Sequence, residues 1–164
     1  MSRATNNLFL IKYLFNDING YCIWVSNEKD RLLCNSNNKI LCFPNENSVF
    51  NYLSQNNLKL FDNEINQTYD FQKLEQWINS ESLSVNCIEI LNFWNLFTDV
   101  AYTISIKFQG DKRNKITSLI YDKLFYGNNL PAIKPENEDD YIPIWNLKQI
   151  NIIKSIMENG LNIT

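Results

Sequence analysis

LFLIKYLFNDINGYCIWVS, residues 8–26, sets the reading of the fold. Two runs, Leu8 to Phe15 and Tyr21 to Ser26, carry the aromatic, β-branched and other apolar residues that suit a pleated, half-buried surface. Between them lies Asn16-Asp17-Ile18-Asn19-Gly20, whose Asn19-Gly20 pair supplies the positive φ angles of a tight hairpin turn. Further on, Arg31 to Cys34 and Lys39 to Phe43 flank Asn35-Ser36-Asn37-Asn38, a second hairpin loop. The first third is therefore expected to be a meander of three or four antiparallel strands, with Leu58 to Phe61 as a further short strand.

Beyond Pro44 the apolar period changes from two to about three and a half. Asn45 caps a helix bearing Val49, Phe50 and Leu53, and Asp70 caps Phe71 to Asn79. The longest helical signal runs from Val85 to about Ile106, with Ile90, Trp94, Phe97, Ala101 and Ile104 on one face and Glu89, Asn92, Asp99 and Tyr102 opposite. Gly110-Asp111 breaks it. A helix over Lys112 to Tyr126 then turns Ile116, Leu119, Ile120 and Leu124 inward, with Gly127 as its stop. After a proline-bearing loop, Asn146 and Gln149 form a capping box for a last helix. Its apolar stripe is Leu147, Ile150, Ile153, Ile156 and Met157, and Gly160 ends it. The expected architecture is α+β: an N-terminal antiparallel sheet packed with a C-terminal helical half, in one domain over residues 1–164.

Composition bounds the chemistry. A chain of 164 residues, 45% apolar and 13% aromatic, fills a core without staples and buries roughly 70% of its unfolded surface. No stretch reaches the ~20 apolar residues of a membrane span. Lys12 interrupts the apolar run Leu8 to Ile11 and no small-residue cleavage site follows, so a cytoplasmic protein is expected. Cys22, Cys34, Cys42 and Cys87 form no close pair of the kind zinc sites use. Cys22, Cys34 and Cys42 sit within apolar runs, and all four cysteines are expected as buried, reduced thiols, with no metal and no cofactor.

Histidine is absent. That removes Ser-His-Asp and Cys-His hydrolysis, which need its near-neutral base. Glycines stand only at 20, 110, 127 and 160, which removes GxGxxG and Walker phosphate loops. Carboxylate-only chemistry, as in glycosidases or metal nucleases, survives this filter, with Glu89, Asp99, Asp62 and Glu64 as the acids it would recruit. An adaptor with no catalytic role is a third class.

Net charge is −3, against a nucleic-acid partner, whose footprint is a basic face. Lys112 to Lys123 holds a basic excess of three counted from Lys107, too small to change that. The densest charge run is Glu136-Asn137-Glu138-Asp139-Asp140, beside Tyr141 and Trp145. Such a cluster raises the association rate with a basic protein and imitates phosphates.

Two strings then suggest a family. Asn92-Phe93-Trp94-Asn95-Leu96-Phe97-Thr98-Asp99-Val100-Ala101 and Ile120-Tyr121-Asp122-Lys123-Leu124-Phe125-Tyr126-Gly127-Asn128-Asn129-Leu130-Pro131 resemble bacterial immunity proteins of contact-dependent growth inhibition and other polymorphic toxin systems. The resemblance covers a quarter to a third of the chain. It implies a non-catalytic antitoxin that binds the C-terminal domain of a cognate toxin, often a basic nuclease. The matched strings look structural, so the toxin-facing residues are sought among exposed acids and aromatics: Glu136, Glu138, Asp139, Asp140 and Tyr141, with Asp62 and Glu64 as secondary candidates.

Overall fold

The first hairpin forms one step earlier than its glycine suggests. In the computed structural model, which describes residues 6–164, β1 (Asn7–Phe15) and β2 (Ile18–Ser26) pair in antiparallel register from Asn7↔Ser26 to Phe15↔Ile18. The two-residue turn is therefore Asn16-Asp17, with φ 48° and 62°, the left-handed pair a type I′ turn requires. Gly20 lies inside β2 opposite Tyr13. A Cβ on Gly20 would fall 2.1 Å from the Tyr13 hydroxyl oxygen, so this glycine is kept for room and not for its φ.

Contacts along the chain divide it into two compact units, one formed by the described residues up to Gln76 with Asp99–Ile106, the other by Trp77–Thr98 and Lys107–Thr164. In the first, β3 (Arg31–Leu32), β2, β1 and β4 (Ile65–Asp70) form a four-stranded sheet in that order. The second hairpin is present around Asn38, at φ 59°, with a Cys34↔Ile40 bridge, and Phe43 returns to pair with Tyr21. The fold is α+β, but β4 runs parallel to β1 and so departs from the all-antiparallel expectation. Leu58 to Phe61 is not a strand; its contribution is Leu60, buried in the core.

Alternation along β1 and β2 decides what each face of this sheet meets. Leu8, Leu10, Tyr21, Ile23 and Val25 pack with Val49 and Leu53 of α1 (Glu46–Gln55) and with Leu60. Asn45 caps α1 through a bond from the Ser48 amide, 2.8 Å, as its position before the apolar stripe predicts. Phe50 is exposed, so that stripe is narrower than expected. Tyr13 and Phe15 meet Phe71 of α2 (Phe71–Ile78), edge to face. Asp99 accepts the Trp24 indole N–H at 3.1 Å and is not part of a solvated stripe. Burial first, and then the charge of Asp99, pushes the Tyr69 hydroxyl up to about 12.

The second unit is built from α3 (Cys87–Thr103) up to Thr98, a short 3-10 helix (Gln109–Asp111), α4 (Lys115–Tyr126) and α5 (Leu147–Ile163). Phe93, Trp94, Phe97, Phe108, Ile120, Leu124, Ile150, Ile153, Ile156 and Met157 are among its buried side chains. In α4 the buried stripe is Thr117, Ile120 and Leu124, while Ile116 and Leu119 are exposed. The helix starts at its Asn114 cap, not at Lys112. Gly127 caps α4 at an ordinary helical φ of −66°. A Cβ there would meet Cys87 Sγ at 2.6 Å and Pro143 Cγ at 2.9 Å.

The capping box of α5 is complete: Asn146 Oδ1 accepts from the Gln149 amide at 2.8 Å, and Gln149 Oε1 accepts from the Asn146 amide at 3.3 Å. Asn146→Ala is expected to cost about 1 kcal/mol, readable as a lower urea midpoint with an unchanged m-value. Gly160 does not end α5, which continues to Ile163. Leu147, expected inside, is exposed. Cys22 and Cys87 are buried as expected, whereas Cys34 is only partly covered and Cys42 is exposed. No helix among the described residues is long and apolar enough to cross a membrane.

Candidate functional site

The loop from α4 to α5 is held in shape by asparagines. Asn129, in the left-handed region at φ 51°, accepts from the Tyr141 amide at 2.7 Å and donates to the Tyr141 carbonyl at 3.0 Å. One side chain thus imitates the two-bond pairing of a strand and clamps the far end of the loop to its start. Asn128 donates to the Leu124 carbonyl at 2.7 Å, closing the last turn of α4. Lys123 reaches across to the Ile144 carbonyl and to Gln149 Oε1, and lies 4.3 Å from the centre of the Trp145 ring. Lys123 is therefore a tie from α4 to the loop and to α5.

Between these ties the loop forms one wall of a groove of about 410 Å³, within the range of side-chain and small-ligand pockets. Its apolar lining comes from Phe125 and Tyr126 at the end of α4 and from Leu130 and Ile133 in the loop. Glu138, Asp139 and Tyr141 line it too, together with Asn129, Pro135 and Lys134, whose ammonium pairs with Asp140. The loop turns tightly enough to present them because Asn137 takes φ 70° and the Glu138 amide bonds back to Pro135. The groove thus brings aromatic and aliphatic side chains together with the two carboxylates of Glu138 and Asp139.

Five sequence candidates therefore sit on this one loop. Glu138, Asp139 and Tyr141 line the groove; Glu136 is exposed outside the lining. Asp140 pairs with Lys134, so its charge is locally matched. Asp62 and Glu64 belong to the other unit, where the Asp62 carboxylate accepts from the Glu64 amide at 3.2 Å in an exposed bend.

Composition does not point to the rest of the surface. Ile142 and Ile144 are 81% and 88% exposed, while Pro143 between them packs toward Gly127. In an extended segment alternate residues face opposite ways, so anchoring Pro143 and Trp145 sends both isoleucines outward. Tyr126, Leu130, Ile133 and Tyr141 add further exposed apolar area around the groove. Apolar surface gathered like this marks an interaction site more often than scattered single residues do.

Among the described residues, no three His, Cys, Asp or Glu side chains gather where they could hold a metal ion. No buried side-chain nitrogen or oxygen among them lacks a hydrogen-bond partner. Comparison of the chain with protein-family models, with characterised proteins and with solved structures gives no match.

Proposed function

We propose that the chain is an immunity protein that neutralises a cognate toxin domain, a basic nuclease, by stoichiometric binding through the α4–α5 loop. The observation that carries this reading is the junction of acidic groove and exposed isoleucines. Glu138 and Asp139 line one groove with Phe125 and Tyr126, and Ile142 and Ile144 stand almost fully in solvent on the same loop. High-affinity interfaces need desolvated apolar anchors as well as charge, and this surface offers both within a few residues. The acidic balance of the whole chain, net −3, favours a basic partner over an acidic one.

In this mechanism the loop enters the toxin's substrate cleft as a phosphate mimic. Glu136, Glu138 and Asp139 take the positions of backbone phosphates, Tyr141 stacks at the edge, and the isoleucines exclude water. No proton or group is transferred. The protein acts by occupancy alone, and no cofactor enters.

Co-expression with the toxin domain encoded by the gene immediately upstream is the test. Growth should be restored, and the nuclease should titrate to zero activity at one equivalent of this protein. Unprotected cells, or an upstream gene with no toxin domain, would count against the proposal.

A further inference from the structure

Cys22 and Cys42 are brought together by the ladder. Tyr21 and Phe43 exchange both backbone hydrogen bonds, 2.9 and 2.8 Å, and form an antiparallel bridge. The adjacent pair, residues 22 and 42, is then of the non-hydrogen-bonded kind, with Cα atoms ~4.5 Å apart and side chains at their closest. That separation lies within the span a disulfide bridges without backbone movement. The two sulfurs are 3.6 Å apart, and no disulfide joins them.

The two thiols are unequal. Cys42 is exposed and Cys22 is buried. Hydrogen bonds from the Cys22 thiol and the Tyr13 hydroxyl, against a smaller opposing effect of burial, bring the Cys42 thiol down to about 6. The bond to Cys42 and burial push the Cys22 thiol up. The thiol whose ionisation is favoured is thus the exposed one, as nucleophilic cysteines require, and its buried partner lies beside it. The missing Cβ of Gly20 is what lets the Tyr13 ring lie where its hydroxyl reaches this pair.

We propose that Cys22 and Cys42 form a peroxide-oxidisable dithiol, a covalent modification site that closes a disulfide between β2 and the returning strand of the second hairpin. In the first step the Cys42 thiolate attacks a peroxide oxygen. The S–O bond forms, the O–O bond breaks and hydroxide leaves; sulfur is oxidised to sulfenic acid and the peroxide takes up two electrons. In the second, the Cys22 sulfur attacks the Cys42 sulfur while its proton goes to the departing hydroxide. The S–S bond forms, the S–O bond breaks and water leaves. Hydroxide from the first step takes up a solvent proton, so two thiols and one hydrogen peroxide yield one disulfide and two waters.

The test is to treat the folded protein with one equivalent of hydrogen peroxide, block the remaining thiols with an alkylating reagent and map the peptides by mass. The expected product has lost the mass of two hydrogens, keeps two of its four thiols and yields one linked pair containing Cys22 and Cys42. Cys22→Ser should instead accumulate a dimedone-reactive sulfenic acid on Cys42, and Cys34→Ser should behave as the wild type. Four alkylated thiols after treatment, or linkage through Cys34 or Cys87, overturns the proposal. So does a disulfide between two copies of the chain. The wild-type peptide map decides the matter even if a serine variant fails to fold.

Discussion

Gly160→Ala is expected to destabilise the protein by about 2 kcal/mol, although the same change in an exposed helix interior stabilises by about 1 kcal/mol. A Cβ at 160 would fall 2.1 Å from Cδ2 and 2.4 Å from Cγ of Phe97. No side chain tolerates such contacts, so either the ring or α5 must move. The ring is fully buried, stacked on Phe93 at 5.8 Å and edge-on to Phe108 at 5.8 Å. Escape for one ring is a collision for the others, which places this near the upper end of overpacking costs, about 3 kcal/mol. Subtracting the propensity gain leaves the net loss. For a chain this long the melting temperature should fall by roughly 4–8 °C.

A second variant separates overpacking from mere helix weakening. Phe97→Leu alone leaves a cavity and is expected to cost roughly 1–3 kcal/mol. Combined with Gly160→Ala it should cost less than the two changes summed, because the smaller side chain makes way for the methyl. A coupling of about 1 kcal/mol in that double-mutant cycle is the signature. Additivity within experimental error, or a raised melting temperature for Gly160→Ala alone, would show that the α5 glycine is not fitted to the ring.

The same glycine shows where sequence reading stops. Three helix starts were legible because capping is local: Asn45, Asp70 and Asn146 each bond an amide three residues on. Glycines invited the opposite error. Left-handed backbone was assigned to Asn19-Gly20 and a helix stop to Gly160, yet no glycine here has positive φ. Asn16, Asp17, Asn38, Asn57, Ser105, Asn129 and Asn137 do that work, because a short polar side chain that bonds its own backbone tolerates the region. With so many asparagines available, glycine is retained where a neighbour's ring needs the space. That requirement is tertiary and leaves no local signal. β4 was missed for a related reason: Ile65-Asn66-Gln67-Thr68-Tyr69-Asp70 lacks apolar alternation, and only pairing with β1 makes it a strand.

The candidate site divides along the same line. Its charge could be read from composition, since Glu136 to Asp140 is the densest acidic run. Its apolar lining could not be, because Phe125, Tyr126, Leu130 and Ile133 converge only when Asn129 clamps the loop. Nor does the sequence say that Ile142 and Ile144, flanking a proline beside Trp145, face solvent; that follows only once Pro143 packs toward Gly127.

Reversing the unpaired acids of the α4–α5 loop should have the largest effect on function, and a divided one. In a Glu136→Lys, Glu138→Lys, Asp139→Lys variant, the association rate with a basic toxin domain is expected to fall tenfold or more at low salt. The difference from wild type should shrink as ionic strength rises, since exposed charges lose sight of each other beyond a Debye length of roughly 8–10 Å. Asp140→Asn should slow association slightly, by removing long-range charge, yet leave dissociation unchanged, because Lys134 already holds that carboxylate and an exposed pair is worth little. The isoleucines should behave in the opposite way. Ile142→Asp with Ile144→Asp adds to the negative charge that steers encounter, so association should hold or quicken. Once the complex forms, buried carboxylates replace apolar anchors, and dissociation should accelerate by roughly 30-fold or more, the equivalent of about 2 kcal/mol. Stopped-flow association and surface-immobilised dissociation at two salt concentrations separate the arms. If the lysine variant binds as fast as wild type at low salt, the electrostatic half of the mechanism is lost. Unchanged dissociation of the isoleucine variant would place the interface elsewhere on the molecule, with Asp62 and Glu64 the next acids to reverse.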